Sequence, residues 1–185
     1  MSDVICYYLE QIPKVRRYLR RYRSSATSTC PTRYGYCNAQ TLLDELDYPV
    51  GVTLECYDDT ISRDDPRWPK FCPGCGKGFA DTDEWQVNVA ALYRRSDTGA
   101  IVALGEAEAG AMWDAYWWRY KGPDGKCLVV KLPNGHDWII DGPSQQHKEP
   151  GAWTRTGTPP LITASPSILA NDYHGWLRNG ILSSV

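Results

Sequence analysis

The sequence predicts an α+β fold: an N-terminal helix, a small cysteine-knuckle module and a C-terminal β-rich domain of hairpins. Three observations carry this expectation. Apolar residues recur at spacings of three and four through residues 3–23. Cys72 and Cys75 enclose Pro73-Gly74 and are followed at once by glycine. Beyond residue 81, short apolar runs alternate with Asn, Asp, Gly and Pro turn signals. The segments so defined are 1–23, 24–80 and 81–185.

Composition sets the outer limits. The 185 residues are 42% hydrophobic and include eight Trp and twelve Tyr, enough for a packed core and unlike a disordered chain. With only two Phe, the aromatic load is amphipathic and suits half-buried sheets and contact surfaces. Net charge is −2, but residues 1–23 hold six Lys/Arg against two Asp/Glu, so the rest of the chain is acidic and unsuited to coating DNA along its length. No apolar run approaches the roughly 18 residues of a membrane span, and the N-terminus lacks the basic-then-apolar pattern of a secretory leader. Without an export signal, seven cysteines, an odd number, read as metal ligands plus buried thiols in a reducing cytoplasm.

In chain order, Val4, Tyr8, Ile12, Val15, Leu19 and Tyr22 define the helical face, with Pro13 as a kink or the first turn of a second helix. Opposite lie Lys14, Arg16, Arg17, Arg20, Arg21 and Arg23, expected as a solvated face or as the contact for an acidic partner or nucleic acid; a membrane surface is a further option without a lipidation motif. A polar linker, 24–29, leads to the Cys30–Cys37 loop. Ala39 to Asp47 reads as a turn or two of helix with Leu42, Leu43 and Leu46 on one side, and Val50 to Tyr57 as a strand. The acidic loop Asp58 to Pro69 follows; without calcium-loop glycine or spacing its Asp58, Asp59, Asp64 and Asp65 are expected to be solvated.

Farther on, Trp85–Arg95 and Ala100–Leu104 read as strands joined through Ser96-Asp97-Thr98-Gly99. Glu106–Tyr120 has helical spacing of Met112, Trp113, Tyr116, Trp117 and Trp118, with an aromatic strand as the alternative. Cys127–Leu132 and Asp137–Asp141 flank Pro133-Asn134-Gly135, a strong hairpin signal. A short strand at Leu161–Ala164 and a last hairpin or turn over Asp172–Gly180 complete the chain.

Chemistry concentrates in the cysteines. Two thiolates with two residues between them reach one ion at the tetrahedral angle, and Gly76 and Gly78 permit the sharp backbone turn this requires. Cys30 and Cys37 are the expected second pair, with Cys56 in reserve, so that Cys30, Cys37, Cys72 and Cys75 would hold a structural Zn2+. Four sulfurs leave no open position for water, which favours folding energy over hydrolysis. No catalytic residue is assigned. His136, His147 and His174, beside Asp137, Asp141, Asp172 or Glu149, are expected as turn and surface residues, because no nucleophile motif or phosphate-cradling loop accompanies them. The cluster Trp113, Tyr116, Trp117, Trp118, Trp138, Trp153 and Trp176 fits either the core of a β-rich domain or an exposed stacking surface.

The phrases Gly122-Pro123-Asp124-Gly125-Lys126-Cys127, Leu132-Pro133-Asn134-Gly135-His136-Asp137-Trp138, Gly157-Thr158-Pro159-Pro160 and Tyr173-His174-Gly175-Trp176-Leu177-Arg178-Asn179-Gly180 resemble a group of uncharacterised small proteins of tailed bacteriophages, over roughly residues 109–182. The knuckle region more loosely resembles a zinc ribbon. The first resemblance implies a viral origin and a bacterial host, and no activity. The expectation is a zinc-stabilised, non-enzymatic binding protein that contacts a host or viral macromolecule, protein or nucleic acid, in the host cytoplasm. The alternatives are a virion component of head or tail, and an enzyme using the C-terminal His and Asp residues.

Overall fold

The structure, a computed structural model, describes residues 3–23, 30–32, 35–52, 54, 61–143, 153–170 and 172–185. Its regular elements in chain order are strands β1 (Val4–Ile5), β2 (Tyr7–Arg23), β3 (Cys37–Asp47), β4 (Glu84–Arg95) and β5 (Ile101–Ala103), a 3-10 turn at Leu104–Glu106, then β6 (Ala111–Asp114), β7 (Leu128–Lys131), β8 (Asp137–Ile139), β9 (Thr154–Thr156), β10 (Thr163–Ala170), β11 (Tyr173–Arg178) and β12 (Ile181–Ser184). The fold is β-rich rather than α+β, with no α-helix among the described residues.

The expected N-terminal helix is a strand. Along β2 the buried residues are Tyr7, Leu9, Val15, Leu19 and Arg21, all odd-numbered, which is the period of two of a pleated strand. The spacing of four in Val4–Tyr8–Ile12 and Val15–Leu19 keeps residues on one face in a helix and in a strand alike, so it does not discriminate. The expected turn of helix at Ala39–Asp47 is likewise strand β3. It pairs antiparallel with β2 from Arg23↔Cys37 to Lys14↔Asp47 and skips Leu43 between Tyr18↔Leu42 and Arg17↔Asp44. That bulge turns Leu43 inward, while Leu42 and Leu46 stay exposed.

The chain divides into two compact units, Pro13–Leu92 and Met1–Ile12 with Tyr93–Val185. In the first, β2 and β3 form a long hairpin with β4 on the other side of β2. A small core gathers Leu19, Leu43 and Trp68 with Ile61, Trp85 and Val87 packed against it. Trp68 meets Trp85 edge-on at 5.0 Å and donates its Nε1–H to the Ser62 carbonyl at 2.9 Å. Of the expected strand at Val50–Tyr57, residues 53 and 55–57 lie outside the described residues and Val50-Gly51 is a turn.

The second unit carries two sheets. One has the order β1-β12-β11-β10-β9, antiparallel throughout. In the other the start of β2 pairs in parallel with β6, followed by β7 and β8. The core between them takes Met112, Leu128, Val130, Leu132, Trp138 and Ile140 from the second sheet and its loops, and Ile162, Ile168, Tyr173, Leu177 and Leu182 from the first. The expected helix at Glu106–Tyr120 is absent: Ala111, Met112 and Trp113 are buried in succession as β6, and the chain then turns at 116–119. The hairpins predicted from turn chemistry are present. Arg95 N–H bonds the Ala100 carbonyl at 2.9 Å across Ser96–Gly99, and Leu132 N–H the His136 carbonyl at 2.8 Å across Asn134-Gly135. Asn179 and Gly180, at φ 47° and 73°, make the tight turn from β11 to β12.

Candidate metal centre

The metal group lies within the Pro13–Leu92 unit. Residues 70–79 fold back on themselves as a knuckle. Phe71 bridges Gly78, Phe79 N–H bonds the Lys70 carbonyl at 2.9 Å, Cys72 N–H bonds Lys77 at 2.9 Å, and Gly76 N–H returns to Cys72 at 2.8 Å. Gly76 sits at φ +70°, where a Cβ is disfavoured, so the turn needs glycine. The other pair comes from the approach to β3: Cys30 in the loop and Cys37 at the strand's first residue. Thr32 fixes this loop by donating to the Tyr36 carbonyl at 2.6 Å. At Gly74 the two cysteine segments approach so closely that a Cβ would lie 2.7 Å from the Thr32 methyl.

These turns bring the sulfurs of Cys30, Cys37, Cys72 and Cys75 within 4.8 Å of one another. The Cys30–Cys72 and Cys37–Cys75 pairs stand at 3.5 Å, well beyond the roughly 2.05 Å of a disulfide. Four sulfurs each about 2.3 Å from one ion at the tetrahedral angle would be about 3.8 Å apart. The group therefore can hold a metal ion. Cys30, Cys37 and Cys72 are buried against Phe79, and Cys75 is the exposed member. Cys56 lies outside the described residues, and the four-sulfur set is complete without it.

The four sulfurs sit in unequal surroundings. Burial pushes the Cys72 thiol up, but the backbone N–H groups of Cys75, Gly74 and Asn38 outweigh it and bring it down to about 6. Burial, followed by the neighbouring sulfurs of Cys75, Cys30 and Cys72, pushes Cys37 up to about 12. One thiolate forms readily among these sulfurs; holding several more calls for a compensating positive charge.

Part of that charge comes from β2, where the six basic residues lie on both faces of the strand rather than along one side of a helix. Lys14, Arg16 and Arg20 share one face, Arg17, Arg21 and Arg23 the other. Arg16 pairs with Glu45 at 2.8 Å and Arg17 with Asp44 at 2.6 Å. Arg20 donates to Asn38 and Tyr36 and lies over the Tyr22 ring. Arg21 is 4% exposed, stacks 3.6 Å over Trp85 and also faces Phe79, and donates to the Ala80 carbonyl. Arg23 stands opposite Cys37 in register and grips Asp83 through two bonds of 2.8 and 2.6 Å while donating to the Gly78 carbonyl at 3.0 Å. Asp83 also accepts the Ala80 N–H at 2.7 Å. Arg21 and Arg23 thus fasten the exit of the knuckle to the hairpin that carries Cys37.

Because Asp83 orients Arg23 beside the sulfurs, Asp83→Asn is expected to weaken metal binding about tenfold while leaving one ion per chain at saturation. Competition against a chromophoric chelator measures this; an affinity equal to that of the parent protein would remove Asp83 from the site.

The remaining sequence candidates are dispersed. His136 and His174 are exposed, and neither is within ion-pair distance of a carboxylate among the described residues; His147 and Glu149 lie outside them. Asp137 pairs with Lys131 at 2.8 Å. In the acidic loop, Asp65 is held by Arg67, whose hydrogen bonds keep its carboxyl down at about 2, and Asp58 and Asp59 lie outside the described residues. Asp141 is instead buried with Arg155, a partner that sequence reading did not single out; a cation between two threonines in a short strand was its only signal. The aromatic cluster splits between its two readings: Trp113 and Trp138 are core, whereas Trp117 and Trp118 are 45% and 44% exposed. No helix among the described residues is long and apolar enough to cross a membrane. Compared with protein-family models, curated proteins and solved structures, the chain matches none.

Proposed function

We propose that the chain is a zinc-stabilised, non-enzymatic binding protein for a macromolecular partner. The observation that carries this reading is the convergence of four cysteine sulfurs within 4.8 Å. All-sulfur tetrahedral sites suit zinc or iron; zinc is the choice here because it needs no redox partner and its closed four-cysteine sites serve folding. The local core of Leu19, Leu43 and Trp68 is small, so a bound ion is a large share of what holds the Pro13–Leu92 unit together. Within this reading, the outward face of β2, with Lys14, Arg16 and Arg20, belongs to the contact surface, while Arg17, Arg21 and Arg23 serve the unit itself. The resemblance of residues 109–182 to phage proteins adds a phage origin to the proposal, with action in the host cytoplasm or on the particle.

Native mass spectrometry of the purified chain, with and without chelator, tests the metal. The expected result is one zinc per chain, lost together with the near-ultraviolet signal of Trp68 and Trp85. Iron in its place would correct the ion, and a chain that binds no metal and melts identically in chelator would sink the proposal.

A further inference from the structure

The feature that the metal centre does not absorb is the turn from Tyr116 to Lys121. It leaves β6 at Ala115, which is fully buried and donates its N–H to the Cys127 carbonyl at 2.8 Å. Trp118 N–H closes the turn on the Ala115 carbonyl at 2.9 Å, and Gly122 N–H bonds the Lys126 carbonyl at 2.8 Å where the chain returns. The loop is therefore tied at both ends. Its tip nevertheless displays two large aromatic rings, Trp117 and Trp118, each nearly half exposed. A folded chain with a full core of its own has no internal need for two indoles in water.

The chemistry around those rings is specific. Tyr116 meets Trp117 edge-on at 5.0 Å, and Trp118 lies nearly parallel to Tyr120, with 14° between planes and 6.2 Å between centroids. Arg119 sits 5.1 Å over the Tyr120 ring and has no carboxylate partner among the described residues. Lys121 is exposed and bonds the Tyr116 carbonyl rather than an acid. Between Ala115 and Gly122 there are two cations and no carboxylate, in a chain whose net charge is −2. The nearest acids are engaged: Asp114 accepts the Cys127 N–H, and Asp124 and Asp141 share Arg155. Nor does the stretch 116–126 contain Leu, Ile, Val, Phe or Met. The tip thus offers flat π-faces beside positive charge rather than hydrocarbon, which fits an anionic partner with stackable planar groups better than a lipid interior.

We infer that the Trp117–Lys121 loop is a stacking platform for single-stranded nucleic acid, with Trp117 and Trp118 taking bases and Arg119 and Lys121 taking phosphates. This rests on the reading of the chain as a macromolecule binder and names the partner. The two phosphate contacts of this loop contribute about −1.4 to the slope of log K against log salt. Stacking is indifferent to base identity, so little sequence preference is expected.

The test is fluorescence anisotropy of a labelled oligothymidylate about 15 nucleotides long, titrated with the full chain. Trp118→Ala and Trp117→Ala are each expected to weaken binding on the order of tenfold, Trp118→Phe to retain most of it, and Arg119→Gln to reduce the salt slope by about 0.7. Both indoles are exposed, so unchanged metal content and circular dichroism in the variants establish that the fold persists. No binding by the folded, metal-loaded chain overturns the platform and leaves the metal reading intact. Binding that both alanine variants retain places the contact elsewhere and overturns it as well. Equal competition by polyglutamate, or preference for phosphatidylserine vesicles over the oligonucleotide, replaces base stacking with an acidic-protein or membrane contact.

Discussion

A Cys72→Ser protein is expected to lose its metal ion and, with it, the ordered packing of the Pro13–Leu92 unit. Cys72 is the most buried of the four clustered cysteines, at 1% exposure, and it receives backbone N–H groups of the knuckle. Serine keeps the size but offers a harder, far less acidic oxygen, so the site loses both a ligand and a negative charge. Structural zinc contributes on the order of 10–16 kcal/mol of apparent binding energy in small zinc-dependent folds, comparable to the whole stability of a typical domain, about 5–15 kcal/mol. The effect should be graded by burial. At Cys75, the exposed cysteine of the four, water can take the vacated position, so Cys75→Ser should bind metal weakly and fold when the metal is in excess. Metal content after gel filtration, together with melting curves in zinc and in chelator, measures both. If Cys72→Ser kept one ion per chain and melted with the parent, the four-sulfur site would not be the centre of this unit.

The knuckle could be read in the sequence because its determinants are local. Two cysteines, the residues between them and the following glycines specify a turn without help from elsewhere. The hairpins at Ser96–Gly99 and Asn134-Gly135 were legible for the same reason: positive φ is a property of the turn residues themselves. The course of β2 was not. Its apolar spacing of four satisfies both periodicities, and what selects the strand is pairing with β3 and β4, set by partners up to tens of residues away. β-branched and aromatic residues at Val4, Ile5, Tyr7, Tyr8, Ile12, Val15, Tyr18 and Tyr22 were the local hint against a helix. The partners of the arginines depend on the same long-range pairing. A run of cations looks solvated until the chain between residues 23 and 83 is folded, because Arg21 meets Trp85 and Arg23 meets Asp83 only then. Pairing at such separation leaves no trace in a window of neighbours.

In the other unit the largest expected loss follows Asp141→Ala, about 3–5 kcal/mol. Arg155 is 4% exposed at its side chain and is held by Asp141 at 2.7 Å on one side and by Asp124 on the other. Asp141 is equally buried, at 5%, and its second oxygen accepts the N–H of fully buried Leu128 at 2.8 Å. Gly122 leaves room for the pair, since any Cβ there would run into both the guanidinium and the Asp141 carboxylate. Removing Asp141 leaves the buried guanidinium on Asp124 alone and a buried N–H without its acceptor, a costly loss in a core. Asp124→Ala should cost much less, because the 40% exposed Asp124 can be replaced by water. Acid offers a separate test of the Asp124 contact. Burial pushes the Asp124 carboxyl up, but the Arg155 guanidinium more than offsets this and holds it below the ordinary value. A folded-state pKa below the unfolded one means that its contribution is complete above about pH 4 and disappears as pH falls through the folded value. The difference between the parent and Asp124→Ala should therefore be full at neutral pH and shrink in acid. Denaturant melts of the three proteins from neutral pH downwards decide it. An Asp141→Ala protein within about 1 kcal/mol of the parent would mean that water reaches Arg155, and that the ion pair is surface chemistry rather than the polar centre of this core.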